Sequence, residues 1–252
     1  MLKIRVMPIL LIKDGLLKKR INFKIERTIT FPVSTARIFD ARKTDELILL
    51  NINRDIDYQI IKDVSEELYI PFAYGGGITS VEQMTEIIKN GAEKVVINTA
   101  AVEDPRLITE GASKFGSQCI IVSIDAKKNK YGSYEVYTHS GTKATGLNAL
   151  NWAKKVEKLG AGEILINSID HEGVMKGYNI ELIRMISDSV RIPVIAAGGA
   201  GNEDDFVEAV VKGHASAVAA GSIYHYTQII PNMIKAKLKK AGIPVRITDN
   251  IF

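Results

Sequence analysis

A closed (β/α)8 barrel, the TIM-barrel architecture, is the fold class this sequence predicts, and three observations carry that reading. Short apolar strands rich in β-branched residues alternate with amphipathic helices eight times, the pattern of parallel strands covered by helices. The stretch from Pro71 to Thr99 returns without a gap 122 residues later, so that Pro71, Gly76 and Gly91 reappear as Pro193, Gly198 and Gly213. A chain of 252 residues also suits one α/β barrel domain. A repeat this long reads as an internal half-barrel duplication and not as a solenoid. An open doubly wound sheet is the alternative, and the half-repeat favours closure. No linker breaks the chain, so a single domain is expected over residues 1–252.

Taken in order, the first strand is IRVMPILLI, Ile4 to Ile12. A polar connection follows through Asp14-Gly15 and Lys19 to Phe31, too long for a routine turn and therefore a candidate active-site loop. The first helix covers Pro32 to Arg42 with proline in its first turn. The second strand is Glu46 to Ile52, and the second helix runs from Tyr58 to Leu68. The first repeat copy supplies the third strand, third helix and fourth strand. A fourth helix follows Glu103-Asp104-Pro105 and ends near Lys114, and the fifth strand is QCIIVSID. The aromatic-rich segment Lys127 to Gly146 reads as a small hairpin inserted after that strand. Then come a helix at Ala149 to Leu159, a strand at Glu163 to Ile169 and a helix at Ile180 to Ser187. The second copy gives the last two strands and the helix between them, and a basic amphipathic helix, Gln228 to Lys240, follows.

Composition excludes several function classes. Hydrophobic residues make up 46% and charged residues 25%, with a net charge of only +4, and the short basic clusters read as solvated faces. No nucleic-acid partner is expected. No apolar run is long enough to span a membrane, and Val6 to Ile12 reads as a strand and not a signal peptide. The expected location is the cytoplasm. The single cysteine, Cys119, rules out an internal disulfide and reads as a small buried hydrophobe. The four histidines show no ligand spacing, so neither metal nor cofactor is expected.

Chemistry is expected where strands end. Gly75-Gly76-Gly77 and Gly198-Gly199 each lie between a strand and a helix, where backbone N–H groups can approach an anion. Plain tight turns are the bland alternative. Two such turns at matched places in a duplicated scaffold favour a pair of phosphate sites, and hence a substrate phosphorylated at both ends. The other rim candidates are Asn51, Asn98, Thr99, Asp125, Asn167, Asp170, Glu172 and Ser222. Asp125 shares inward parity with Ser123, and an inward carboxylate at a barrel rim suits general acid/base work. At the opposite strand ends, Arg5, Glu46, Lys94 and Glu163 share inward parity with Leu11, Leu50, Asn98 and Asn167. Four charges, two of each sign, therefore meet at the base. A neutral plug is one reading of that ring and a gate is the other.

These residues resemble the cyclase-subunit family of imidazole glycerol phosphate synthase, from histidine biosynthesis. The resemblance covers nearly the whole chain. It rests on DG-x-x-x-K at Asp14 to Lys19, DEL at Asp45, PF-x-x-GGGI at Pro71, KV-x-INTAAVE-x-P at Lys94 and FGSQ at Phe115. IDAK at Ile124, SG at Ser140, GAGEIL at Gly160, SID-x-x-G at Ser168 and GGAG at Gly198 complete it. It implies a barrel that partners a glutaminase subunit at its N-terminal face and receives ammonia through the charged ring, matched here by Arg5, Glu46, Lys94 and Glu163. It implies phosphate contacts at Gly77, Asn98 and Thr99 on one side and at Gly173, Gly199, Gly221 and Ser222 on the other. It also implies a flexible-loop lysine at Lys19 and a catalytic aspartate at Asp125.

The chain departs from the family pattern at the first strand, where a second catalytic aspartate belongs and Leu11 stands instead. Ile9, Asn51, Glu172 and Ala197 differ as well. Three readings follow from the resemblance. One is a glutamine-dependent cyclase-lyase acting on a phosphoribulosyl formimino substrate. Another is a catalytically impaired paralogue that conducts ammonia to a sugar-modifying amidotransferase for surface polysaccharides. The third, a formimino isomerase on the same fold, leaves the ring without a purpose.

Overall fold

Near-continuous burial along the apolar runs marks the barrel strands, covered on both faces, and the computed structural model describes residues 3–53 and 55–247. The strands are β1 (Arg5–Lys13), β2 (Leu16–Ile21), β3 (Ile25–Thr28), β4 (Leu47–Asn51), β5 (Phe72–Gly75), β6 (Lys94–Ile97), β7 (Ile120–Lys128), β8 (Tyr134–Thr138), β9 (Lys143–Asn148), β10 (Glu163–Ser168), β11 (Val194–Ala197) and β12 (Ala217–Ala220). The helices are α1 (Pro32–Ala41), α2 (Tyr58–Glu67), α3 (Val81–Lys89), α4 (Thr99–Glu103), α5 (Arg106–Phe115), α6 (Ala149–Lys158), α7 (Ile180–Ser187), α8 (Glu203–Val211), α9 (Ser222–Tyr226) and α10 (Pro231–Lys240).

Eight parallel strands close in the order β1-β4-β5-β6-β7-β10-β11-β12, with β12 returning to β1. The barrel is therefore closed, and the open sheet is excluded. Two apolar layers hold it together. Met7, Ile48, Ala73, Val96, Ile121, Leu165 and Ile195 fill the interior. Val6, Leu10, Leu49, Tyr74, Val95 and Val122 face outward against the helices. The duplication reaches individual caps: Ser80 and Gln83 form a capping box on α3, and Asn202 and Asp205 form the same box on α8, again 122 residues on.

The connection after β1 is not the expected loop. It is an antiparallel hairpin, β2–β3, zipped onto the end of β1 through Leu11↔Lys18 and Lys13↔Leu16. Asn22 and Phe23, in the three-residue connection between the strands, both take left-handed backbone (φ 48° and 61°), without the glycine that marks primed turns. The second hairpin, β8–β9, was expected, and it attaches to β7 in the same antiparallel way. Each half-barrel thus carries a hairpin on its first strand. Cys119 also departs from expectation: it is half-buried in a 3-10 turn that precedes β7.

The C-terminal helix is pinned by a buried ion pair. Lys235 Nζ lies 2.6 Å from Asp45 Oδ1 and donates to the Lys43 carbonyl at 2.7 Å, while Asp45 Oδ2 accepts from Val6 N–H at 2.9 Å. Among the described residues no helix is long and apolar enough to cross a membrane.

Candidate functional site at the C-terminal rim

A cavity of about 810 Å³ opens at the C-terminal ends of the strands. Its wall is built by the inward residue at the top of each strand, and the strand order makes that wall two-faced. The adjacent strands β6, β7 and β10 contribute Asn98, Asp125 and Asn167; β11, β12, β1 and β4 contribute Ala197, Ala220, Ile9 with Leu11, and Leu50. Among these strand-top residues the polar side chains fall on one arc. Leu11 faces the cavity, so the top of β1 offers the site no proton-transfer group.

Asp125 is buried at the centre of the polar arc. Asn98 Nδ2 donates to its Oδ2 at 2.8 Å and Asn167 Nδ2 to its Oδ1 at 3.3 Å. Burial, the largest influence, pushes its pKa up to about 7, and the Glu172 charge pushes the same way, while the two amides pull back. Such a carboxyl can hold or release a proton at neutral pH. Asn98 Oδ1, Asn167 Oδ1 and Ser222 Oγ are buried and lack a protein partner. Each orphaned group costs about 1–3 kcal/mol, so each favours a ligand that satisfies it.

The two hairpins cover the cavity. Lys19 of β2 is buried and makes an ion pair with Glu172, from the loop after β10. Its Nζ would sit 3.3 Å from a Cβ built on Gly221, so the lysine lies directly over the end of β12. At the hairpin tip, Asn22 N–H donates to the Glu172 carbonyl at 2.8 Å, and the Phe23 ring packs on Gly141 of the β8–β9 turn. That turn is held down where His139 N–H donates to Thr99 Oγ1 at 3.0 Å. His225 stands half-buried beside Lys19; burial first and the lysine charge second lower its pKa to about 4, so it is neutral at pH 7.

The rim residues singled out from sequence divide clearly. Lys19, Gly77, Asn98, Thr99, Asp125, Gly173, Gly199, Gly221 and Ser222 all line the cavity. Gly77, Asn98 and Thr99 lie at the ends of β5 and β6, opposite Gly199, Gly221 and Ser222 at the ends of β11 and β12. Two of the glycines have a structural cause of their own. A Cβ at Gly173 would stand 2.2 Å from the Arg20 carbonyl, and one at Gly199 would stand 2.2 Å from the Gly177 carbonyl. Asp170 is a correction: it is exposed, 3.8 Å from Lys127 and away from the cavity. Asn51 lines the cavity, but its side chain is spent on its own loop, donating to the Asp55 carbonyl at 3.1 Å and accepting from Asn53 N–H at 2.9 Å.

At the other end of the barrel the four charges meet as the strand parity requires. Arg5 donates to Glu46 at 2.6 Å and forms an ion pair with Glu163; Lys94 bonds Glu46 at 2.9 Å and Glu163 at 2.7 Å. Each cation touches both anions, so the ring is neutral and closed. Burial disfavours the Glu163 carboxylate, but Arg5 and Lys94 outweigh it and hold its pKa below the ordinary value.

The model of the histidine biosynthesis protein family matches residues 5–230. The chain belongs to that family. Its members are the barrel isomerases and cyclases of histidine biosynthesis. The matched span begins at Arg5 of the ring and takes in both hairpins, the polar arc and both glycine turns, so the whole site lies inside the family's common part.

Sequence reasoning missed the cavity residues carried by the hairpins, above all Arg20, Phe23, His139, Thr142 and Lys143. The clue was alternation in LLKKRI, where Leu17 and Lys19 are buried and Lys18 and Arg20 are not.

Proposed function

We propose that this barrel receives ammonia from a separate glutaminase through its charged base and uses it at the rim, in the manner of the imidazole glycerol phosphate synthase cyclase. The closed ring of Arg5, Glu46, Lys94 and Glu163 is the observation that carries the proposal. Charged side chains at the foot of a barrel otherwise only plug it, and plugging needs no charge. Apolar residues of the same volume would stabilise the base at least as well. Above the ring the interior is lined by Met7, Ile48, Val96, Ile121 and Leu165, which suits passage of neutral ammonia and not ammonium.

The substrate of this reading is the bis-phosphorylated phosphoribulosyl formimino compound. The opposed cradles at Gly77, Asn98 and Thr99 and at Gly173, Gly199, Gly221 and Ser222 would take its two phosphates, with Lys19 closing over the second. The products are imidazole glycerol phosphate and aminoimidazole carboxamide ribotide.

Leu11 favours a second reading, because Leu11, Ile9 and Leu50 make the wall opposite Asp125 apolar. There the barrel passes ammonia onward to a separate enzyme that converts a sugar group to an amidine in surface-polysaccharide synthesis, and Asp125 has no chemical duty. The deciding experiment is an assay of the purified protein with ammonium chloride and the bis-phosphorylated substrate, beside Leu11→Asp. Turnover by the natural sequence supports the cyclase. Turnover only by Leu11→Asp sinks it in favour of onward conduction. In that case Lys94 and Glu163 substitutions should alter ammonia transfer while Asp125→Asn leaves it unchanged.

A further inference from the structure

The cavity has one wall too apolar for proton transfer and one carboxylate that the rim-strand pattern does not account for. Cyclisation needs both a proton acceptor and a proton donor, and β1 supplies neither, because Leu11 and Ile9 face the site. Among the described residues, Glu172 is the other carboxylate lining the same cavity as Asp125, apart from Glu103 beside His139 at the hairpin turn.

Its position is fixed from three sides. The side chain forms an ion pair with buried Lys19. Its backbone carbonyl accepts from Asn22 N–H at the hairpin tip, 2.8 Å away. A Cβ built on Gly198 would stand 3.4 Å from Glu172 Oε2 and 2.4 Å from Asn167 Oδ1, so the carboxylate and that amide flank one glycine. Asn167 in turn donates to Asp125. The amide that bonds Asp125 therefore shares the surroundings of one glycine with the Glu172 carboxylate. The two carboxyls also sense each other, since the Glu172 charge contributes to the raised pKa of Asp125. Two interacting carboxyls in unlike surroundings, one buried among amides and one against a lysine, are the arrangement that divides acid and base duties.

We propose that Glu172 supplies the second carboxylate of the acid/base pair, replacing the group that Leu11 denies to β1. This rests on the cyclase reading. Ammonia forms a C–N bond to the substrate's ketone carbon, and the ketone oxygen leaves as water with two protons from that nitrogen. Ring closure then forms a C–N bond at the formimino carbon and breaks that carbon's bond to the leaving nitrogen. Two protons move from the new ring to the leaving nitrogen. Glu172 as carboxylate takes each from the ring, Asp125 as acid gives each to the leaving nitrogen, and proton transfer between the two resets the pair. The pairing with Lys19 gives the hairpin a part in this chemistry: it sets the carboxylate against the polar arc when it covers the cavity.

The test uses the purified full chain with ammonium chloride and the bis-phosphorylated substrate, comparing the natural sequence, Glu172→Gln, Leu11→Asp and the double variant Leu11→Asp/Glu172→Gln. Loss of one partner of an acid/base pair should lower kcat by about 100-fold or more. KM should move far less, and the double variant should recover at least about a tenth of the loss because a carboxylate has returned to the same cavity. Turnover by Glu172→Gln at the natural kcat overturns the inference and leaves the cyclase reading standing. So does a change in KM alone, which would make Glu172 a positioning residue for Lys19. An inactive natural sequence beside an active Leu11→Asp overturns both. Circular dichroism and thermal unfolding of each variant exclude misfolding as the cause of a lost rate.

Discussion

Asp125→Asn should stabilise the protein at alkaline pH while abolishing its proton chemistry. The buried carboxyl titrates near pH 7 in the folded chain, against an ordinary value of 3.8. Between those two values the folded state binds a proton that the unfolded state has lost, so stability falls as pH rises through that window. A shift of about three pH units corresponds to a ceiling of about 4 kcal/mol, present below pH 4 and lost by pH 8. The amide cannot ionise and escapes this cost. It also has an NH2 group to offer, and the unpartnered oxygens Asn98 Oδ1 and Asn167 Oδ1 stand on the same arc to accept it. Urea unfolding from pH 4 to pH 8 checks this. The variant should be within about 1 kcal/mol of the natural protein at pH 4 and more stable by about 2–4 kcal/mol at pH 8. A difference that stays constant with pH, or a variant less stable at pH 8, would refute a desolvated, raised Asp125.

Three further perturbations test the frame around it. Glu163→Gln leaves Arg5 and Lys94 facing Glu46 alone; with both cations partly exposed the loss should be about 2–3 kcal/mol, seen as a melting temperature lower by roughly 4–12 °C. Because the Glu163 pKa is depressed, its contribution is present above the unfolded value and lost as pH falls through the folded one, so the gap between natural and variant proteins should close in acid. Lys235→Met strands the buried Asp45 carboxylate and should cost about 3–5 kcal/mol, with partial recovery in the double variant carrying Asp45→Asn, measured by urea midpoints. Gly173→Ala forces a Cβ against the Arg20 carbonyl at a left-handed position, φ 74°, and should lift the β2–β3 hairpin, read as faster proteolytic cleavage between Leu16 and Thr28.

The barrel was legible because parity and repetition are properties of sequence. Inward spacing of two residues linked Arg5 to Leu11, Glu46 to Leu50, Lys94 to Asn98 and Glu163 to Asn167, and the structure puts the first of each pair at the base and the second at the rim. What parity cannot express is contact between elements distant in sequence. The polar segment after β1 concealed a hairpin because its turn, Asn22-Phe23, lacks the glycine that advertises such turns. Gly173 and Gly199 also have a cause that the sequence does not show, the close approach of the Arg20 and Gly177 carbonyls. Asp170 sat at a strand end by count, yet the chain turns it toward Lys127 and solvent.

The duplication explains why the site is lopsided. The two half-barrels keep the same charge at the equivalent base positions Glu46 and Glu163 and the same glycine at Gly77 and Gly199, but differ at three equivalent rim positions: Leu11 against Asp125, Leu50 against Asn167, Asn98 against Ala220. Both cations of the ring, Arg5 and Lys94, come from the first half, and each half contributes one glutamate. The cyclase reading accounts for the lopsided rim, because in it a proton needs to be moved on only one side of a substrate laid between two opposed cradles. Polar side chains are accordingly gathered on three adjacent strands, and the apolar arc lowers the local dielectric that keeps Asp125 protonated near neutrality. A carboxylate introduced at Leu11 would enter that arc from the side opposite Asp125. It would add a proton acceptor and a second like charge facing Asp125, which pushes the Asp125 pKa the way Glu172 does, so the pH-dependent loss of stability in Leu11→Asp should extend to higher pH than in the natural protein.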